Sequence, residues 1–253
     1  NKMAAHDEDF MVEEKKIHFY TDMQNIGAGK FATVHRARHT QTGTLVALKK
    51  VQIFVNIMDK SERHQIVREA RLLQKVDHAN IIKCFDSWIE GGEFYICLEL
   101  CTHGDLSGLI RGHAAAGTRI PEPEVWRYAA QLSDALLHMQ QRSMMHRDIK
   151  PPNVFLSEQG QIKLGDLGLG RLFTSRTLEA TTVVGTPYYM APEVLANAPY
   201  SYPADIWSFG CVLYELANLV SPFWERNLSL YQLYNKIQQG QYAPVDALYG
   251  DGV

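Results

Sequence analysis

Alternation of apolar and polar positions dominates the first hundred residues of the chain. "DMQNIGAGKFATVHRARH" and "GTLVALKKVQIF" alternate on either side of the turn signal "TQTG", which predicts a hairpin and a third strand. The period then changes. Between Asp59 and Val76, Ile66, Ala70 and Leu73, with Val67, Leu72 and Val76, recur at helical spacing. "ANIIKCFDSWIE" and "EFYICLEL", separated by Gly91-Gly92, predict another hairpin. After the connector "CTHGD" the pattern turns helical. Val125, Ala129, Leu132, Leu136 and Met139 form one stripe of a helix over 123–139, opened by proline and glutamate. "NVFLSEQGQIKL" reads as a short hairpin. "PADIWSFGCVLYELANLV" reads as an apolar helix buried on most sides. No repeat or low-complexity run interrupts this layout, which predicts a small β-rich lobe with one helix, a short hinge and a larger helical lobe.

Composition narrows the class without choosing a function. The 253 residues suffice for one or two domains with a hydrophobic core, and 46% apolar with 21% charged residues is globular composition. A formal net charge of −3 gives no electrostatic footprint for nucleic acid or an anionic membrane. Cys84, Cys97, Cys101 and Cys211 are too few and too scattered for a disulfide scaffold, so a reduced, intracellular setting is expected. No apolar run is long enough for a bilayer span, and no membrane insertion is expected. The start, "NKMAAHDEDFMVEEKK", is acidic and polar, unlike a signal peptide, and reads as a solvated tail.

Candidate chemistry sits in four stretches. "IGAGKFATV" places Gly27 and Gly29 where backbone N–H groups can approach phosphates, or where a hairpin simply turns. Its position between two strands argues against a dinucleotide fold, which needs a helix N-terminus. Lys49 in "VALKK" is an exposed strand lysine or a phosphate-gripping cation. Glu69 on the predicted helix is one available carboxylate partner, beside Glu62 and Asp59. "MHRDIKPPNVF" gathers a base, cations and an amide directly after a long helix. Asp148 can accept a hydroxyl proton, Lys150 can neutralise a transferring phosphoryl group, and Asn153 can ligate a hard cation. "KLGDLGLGR" sets Asp166 among glycines, and the predicted hairpin would deliver it beside the Asn153 loop, where the two would suffice for Mg²⁺.

Taken in order, "GAGKFATV", "VALK", Glu69, "HRDIKPPN", "DLG" and "APE" resemble the eukaryotic protein kinases from about Tyr20 onward. "VALKKVQIF", "LGDLGLGR", "VGTPYYMAPE", "ADIWSFGC" and "LYQLYNKIQQGQY" resemble the NIMA-related (Nek) serine/threonine kinases, particularly the short members that are little more than a kinase domain. The resemblance implies an α+β, bilobal protein kinase-like fold. Its parts would be a flexible tail over 1–19, an ATP-binding N-lobe over 20–101 and a catalytic C-lobe over 102–253. It implies Mg²⁺ as cofactor, ATP as co-substrate and protein substrates phosphorylated on Ser or Thr.

Carried over residue by residue, Asp148 is the catalytic base, Lys150 contacts the γ-phosphate, and Asn153 and Asp166 hold the metal. Lys49, paired with Glu69, holds the α- and β-phosphates. Adenine would lie between Ile26, Val34, Ala47 and Phe155, bonded to the backbone of Glu99 and Cys101, with Leu98 behind. Gly27 and Gly29 would cover the phosphates. Leu167 stands where many kinases carry phenylalanine. Arg147 implies control by a phosphorylated loop, with Thr182 the expected site. The family further implies an upstream Nek-family kinase and a cytoplasmic or nuclear place in mitotic cell-cycle control, at spindle, centrosome or microtubules. The helices such kinases carry after Asp205 exceed what remains here, so the C-lobe is expected to be truncated. Glu193 would then be a buried carboxylate lacking its partner, at a cost of about 3–5 kcal/mol. The alternative reading is a catalytically impaired, truncated kinase-fold scaffold or binding module.

Overall fold

The computed structural model describes residues 15–29, 32–52, 72–166, 187–247 and 249. It divides the chain into two units, one of Asn1–Asp77 with Ile82–Leu100 and one of His78–Ile81 with Cys101–Val253. The first is built on an antiparallel sheet and the second is mostly helical, so the architecture is α+β.

The sheet of the first unit has the strand order β1-β2-β3-β5-β4. Its strands are β1 (Tyr20–Ala28), β2 (Ala32–His39), β3 (Leu45–Gln52), β4 (Cys84–Glu90) and β5 (Glu93–Glu99). Alternation in β3 sends Val46 and Leu48 to one face, where they pack with Tyr20, Ala37, Trp88 and Cys97. Trp88 stacks between Tyr20, at 5.4 Å, and Tyr95, at 5.2 Å between ring centroids. Gly91 and Gly92 close β4 on β5 with φ of 59° and 77°, the left-handed pair that suits a two-residue hairpin. Residues 15–19, assigned from sequence to a flexible tail, are instead tied to this sheet. The N–H groups of Lys16 and Ile17 both donate to Glu90 Oε2 at 2.9 Å, and Trp88 Nε1 donates to the same oxygen at 3.0 Å. Burial pushes the Glu90 carboxyl up, but the bonds from Ile17, Trp88 and Lys16 outweigh it and hold the group below its usual range. Of the predicted helical window, residues 72–74 are helical, Lys75 turns out of the helix and Val76 follows it, and residues 59–71 lie outside the described residues.

The second unit contains α1 (Leu106–Ala116), α2 (Glu122–Gln141), the hairpin β6 (Val154–Leu156) and β7 (Ile162–Leu164), α3 (Pro192–Leu195), α4 (Tyr202–Asn218) and α5 (Leu230–Gln238). Asp105 caps α1 by accepting from Gly108 N–H at 2.8 Å, and Gly117 ends it at φ 64°. Glu122 and Glu124 in the first turn of α2 complement its dipole, and all five residues of the predicted stripe are buried. Ser229 and Gln232 form a capping box on α5, which turns Leu233 and Ile237 onto Cys211 and Phe223.

Helix α4 is buried on most sides, as its apolar composition predicts: it buries Ala204, Asp205, Ser208, Cys211, Val212, Leu216 and Ala217, and of its residues only Pro203, Ile206 and Gly210 are exposed. One expectation is corrected here. Glu193, in the first turn of the short α3, is half-exposed, so the penalty of a buried lone carboxylate does not apply.

The turn glycines give a direct stability test. A Cβ at Gly92 meets no neighbour, so Gly92→Ala acts through its positive φ alone. It should cost about 1–2 kcal/mol and lower the melting temperature by several degrees. Gly112 inside α1 also has open space around it, and Gly112→Ala should raise stability by about 0.5–1 kcal/mol. Thermal melts of the two variants should therefore shift in opposite directions.

Candidate active site

The segment 146–153 follows α2 with a single 3-10 turn as its regular structure, and a buried carboxylate on the next long helix fixes it. Asp205, 5% exposed, lies in the first turn of α4. Its Oδ2 accepts from His146 N–H at 2.8 Å. Its Oδ1 accepts from Arg147 N–H and from the Tyr200 hydroxyl, each at 2.8 Å. Arg147 reaches that geometry only with φ at 70°, a left-handed conformation that costs a non-glycine residue roughly 1–2 kcal/mol.

His146 is fully buried and forms the second brace. Its Nε2 donates to Gly165 O at 2.7 Å, and its Nδ1 accepts from Asp148 N–H at 3.3 Å. That pattern requires a neutral ring with its proton on Nε2. Burial pushes the imidazole below its ordinary value, against the raising influence of Gly165 O and of the carboxylates Asp205, Asp148 and Asp166.

These braces assemble the polar residues. Lys150 Nζ lies 2.8 Å from Asp148 Oδ2. The Asn153 amide nitrogen donates to Asp148 O at 2.7 Å and to Asp148 Oδ2 at 2.9 Å. With both N–H groups committed there, the amide oxygen is left available as an acceptor. Pro151–Asn153 form one 3-10 turn leading into β6, and Gly165, following β7, donates its N–H to Asn153 O at 2.9 Å. The hairpin therefore sets Asp166 beside Asn153, with φ at 57°. Phe155 stands in β6 opposite Lys163 and bridges to Asp105. Among the described residues no group of three or more His, Cys, Asp and Glu could hold a metal ion. The Asp166–Asn153 pair offers one carboxylate and one amide oxygen.

In the first unit, antiparallel register collects the other sequence candidates. Val34 lies opposite Lys49, and Ala47 opposite Leu98. Val34, Ala47, Lys49 and Leu98 thus share one face of the sheet. Gly27 pairs with Val34, Ile26 is half exposed, and Gly29 N–H donates to Ala32 O at 2.7 Å across the β1–β2 turn. Glu99 N–H donates to Lys83 O at 2.9 Å. Cys101 begins the longer segment of the second unit and is half-buried. Glu69, Thr182, Leu167 and the loop 169–186 lie outside the described residues.

Sequence reasoning missed Asp205, His146 and Tyr200 as supports of this site. A signal for Asp205 was present, because an acid in the opening turn of an otherwise apolar helix must find donors when buried. Tyr200 carried no such mark.

A strained polar loop, a hairpin bringing an acid to an amide, and a five-stranded sheet carrying a glycine turn together define a protein kinase domain. The family model for the protein kinase domain matches residues 20–246, and the chain belongs to that family. Its relatives include the probable serine/threonine-protein kinase nek2 of Dictyostelium discoideum, 38% identical over 92% of this chain and 56% of the relative. Serine/threonine-protein kinase Nek1 of Mus musculus is 36% identical over 91% of this chain and 19% of its own length. Serine/threonine-protein kinase Nek5 of Homo sapiens is 37% identical over 89% of this chain and 31% of its length. The Nek resemblance read from the motifs is thus matched by the relatives, of which this chain spans about half the length or less.

The neutral, buried His146 predicts a pH dependence of stability. Above the unfolded pKa of about 6.5 neither state binds the proton, and His146 contributes no slope. Below it the unfolded chain takes up a proton that the folded ring resists, so stability falls by up to about 1.4 kcal/mol per pH unit. Thermal melts between pH 5 and 7.5 should show the wild-type slope exceeding that of His146→Gln. Identical slopes would remove His146 from this account.

Proposed function

We propose that this chain is the catalytic domain of a Mg²⁺-dependent protein serine/threonine kinase that transfers the γ-phosphoryl group of ATP to Ser or Thr hydroxyls. The observation that carries this reading is the hydrogen-bonded cluster of Asp148, Lys150 and Asn153, with Asp166 set beside it by the hairpin. The substrate hydroxyl oxygen attacks the γ-phosphorus while the bond to the β–γ bridging oxygen breaks, releasing ADP. Asp148 orients the hydroxyl and accepts its proton. Lys150 offsets charge on the transferring group, from a position already 2.8 Å from Asp148. Asp166 and the Asn153 amide oxygen would hold Mg²⁺, a hard cation that takes few protein ligands and, when bound, neutralises phosphate charge.

Lys49, with Glu69 as its partner, holds the α- and β-phosphates in this reading, and the backbone at Gly27 and Gly29 covers them. Ile26, Val34, Ala47 and Phe155 enclose adenine, the backbone of Glu99 and Cys101 bonds its edge, and Leu98 lies behind. Phosphorylation of Thr182 activates the enzyme by supplying an anion to Arg147. The names of the relatives support the Nek assignment, and with it we propose protein substrates in mitotic control, a cytoplasmic or nuclear location at spindle, centrosome or microtubules, and activation by an upstream Nek-family kinase. Among the described residues no helix is long and apolar enough to cross a membrane.

Purified protein incubated with labelled ATP, Mg²⁺ and casein tests the reading. Wild type should transfer label, and Asp148→Asn should transfer about 10²–10⁴-fold less. Absence of signal from both, with no thermal shift from Mg-ATP, would leave the kinase-fold binding module as the better account. Thr182→Ala should lower kcat in the phosphorylated enzyme and do little once Arg147 is replaced by alanine. An unchanged kcat would remove Thr182 from the scheme.

A further inference from the structure

Tyr200 lies in the stretch between α3 and α4, outside every motif that pointed to the site. Its hydroxyl donates to Asp205 Oδ1 at 2.8 Å, the same oxygen that accepts Arg147 N–H. The Arg147 guanidinium sits over the Tyr200 ring, 5.8 Å from its centroid, within cation–π range. One side chain therefore touches Arg147 twice over, through its backbone by way of Asp205 and through its cation directly. We propose that Tyr200 is a positioning residue of the phosphotransfer site, holding Arg147 in its left-handed conformation and so fixing the adjacent Asp148.

The physical case rests on how many donors Asp205 needs. A buried carboxylate is tolerated only when its lone pairs are filled. Oδ2 has the His146 N–H, while Oδ1 divides its attention between Arg147 and Tyr200. The phenol keeps Asp205 satisfied and oriented even when the loop fluctuates, and it favours return of Arg147 N–H to the same oxygen. The phenol is itself held in its protonated, donating form, because burial and the Asp205 charge raise its pKa well above the ordinary tyrosine value. The ring meanwhile offers the guanidinium a face without neutralising it. It is to this guanidinium that the proposed activation scheme brings a phosphate. This inference rests on the kinase reading for its effect on catalysis, but not for its effect on the loop.

Hydrogen–deuterium exchange separates the two. Tyr200→Phe keeps the ring and removes only the hydroxyl. Exchange of the amides of residues 146–148 should speed about tenfold or more, as expected for loss of a bond to a charged group. Amides in the second half of α4, residues 210–218, should stay within twofold of wild type. Unchanged exchange at 146–148 overturns the proposal whether or not the protein transfers phosphate. So does equal acceleration along all of α4, which would mark Tyr200 as merely structural.

Kinetics supply the second arm. Tyr200→Phe should lower kcat about three- to tenfold, with KM for ATP within twofold, and that loss should shrink in an Arg147→Ala background. An undiminished loss there overturns the coupling. Should wild type transfer no phosphate, the exchange result still decides the positioning proposal, and it is the kinase reading that fails.

Discussion

The segment from His146 to Asn153 depends on one carboxylate. Asp205 receives two consecutive backbone N–H groups, from His146 and Arg147, and the Tyr200 hydroxyl. Two neighbouring amides point at one acceptor group only if the backbone between them turns sharply, and Arg147 at φ 70° supplies that turn. The strain and the charge are therefore mutually dependent. The buried carboxylate would be costly without these donors, and the left-handed arginine would relax without the carboxylate. Placing Asp205 in the first turn of α4 lowers the cost further, since the helix N-terminus favours negative charge.

The other side of the segment is tied by a neutral group. His146 spans from its own loop to Gly165 O and accepts from Asp148 N–H, so it links the loop to the residue just before Asp166. A charged imidazole could not accept from Asp148, and so the buried, neutral state is what lets one ring serve both partners. Gly165 in turn donates to Asn153 O, and Asn153 donates to Asp148. The chain of bonds runs His146–Gly165–Asn153–Asp148 and returns to His146. It is closed, so none of its members shifts alone.

Much of this architecture was legible because its causes are local. Period-two alternation marks β2 and β3, and Gly91-Gly92 marks a left-handed hairpin turn. The stripe from Val125 to Met139 marks a helix by spacing alone, and the hairpin that brings Asp166 to Asn153 follows from its own turn residues. The supports of the site were illegible for the opposite reason. Tyr200 and Asp205 meet Arg147 across more than fifty residues of chain, and no periodicity encodes such a meeting. The docking of residues 15–19 escaped notice likewise, since it depends on Glu90 gathering two donors from more than seventy residues away. The burial of α4 on most sides was legible from its apolar composition, and it leaves only Pro203, Ile206 and Gly210 exposed.

The energetics of Asp148 and Lys150 bear on whether this site is structural or chemical. The two side chains are 56% and 36% exposed, and an ion pair in that setting contributes at most about 1 kcal/mol. Around them the fold keeps Arg147 and Asp166 in left-handed conformations and a carboxylate and an imidazole out of water. These costs exceed anything the exposed pair returns to stability. A module selected only for folding or for binding through its outer surfaces would gain by relaxing the loop and trading Asp205 for an apolar side chain. Strain concentrated around a weak, solvent-accessible Asp–Lys–Asn cluster is accounted for when those three groups act on something that enters from solvent, as phosphoryl transfer requires.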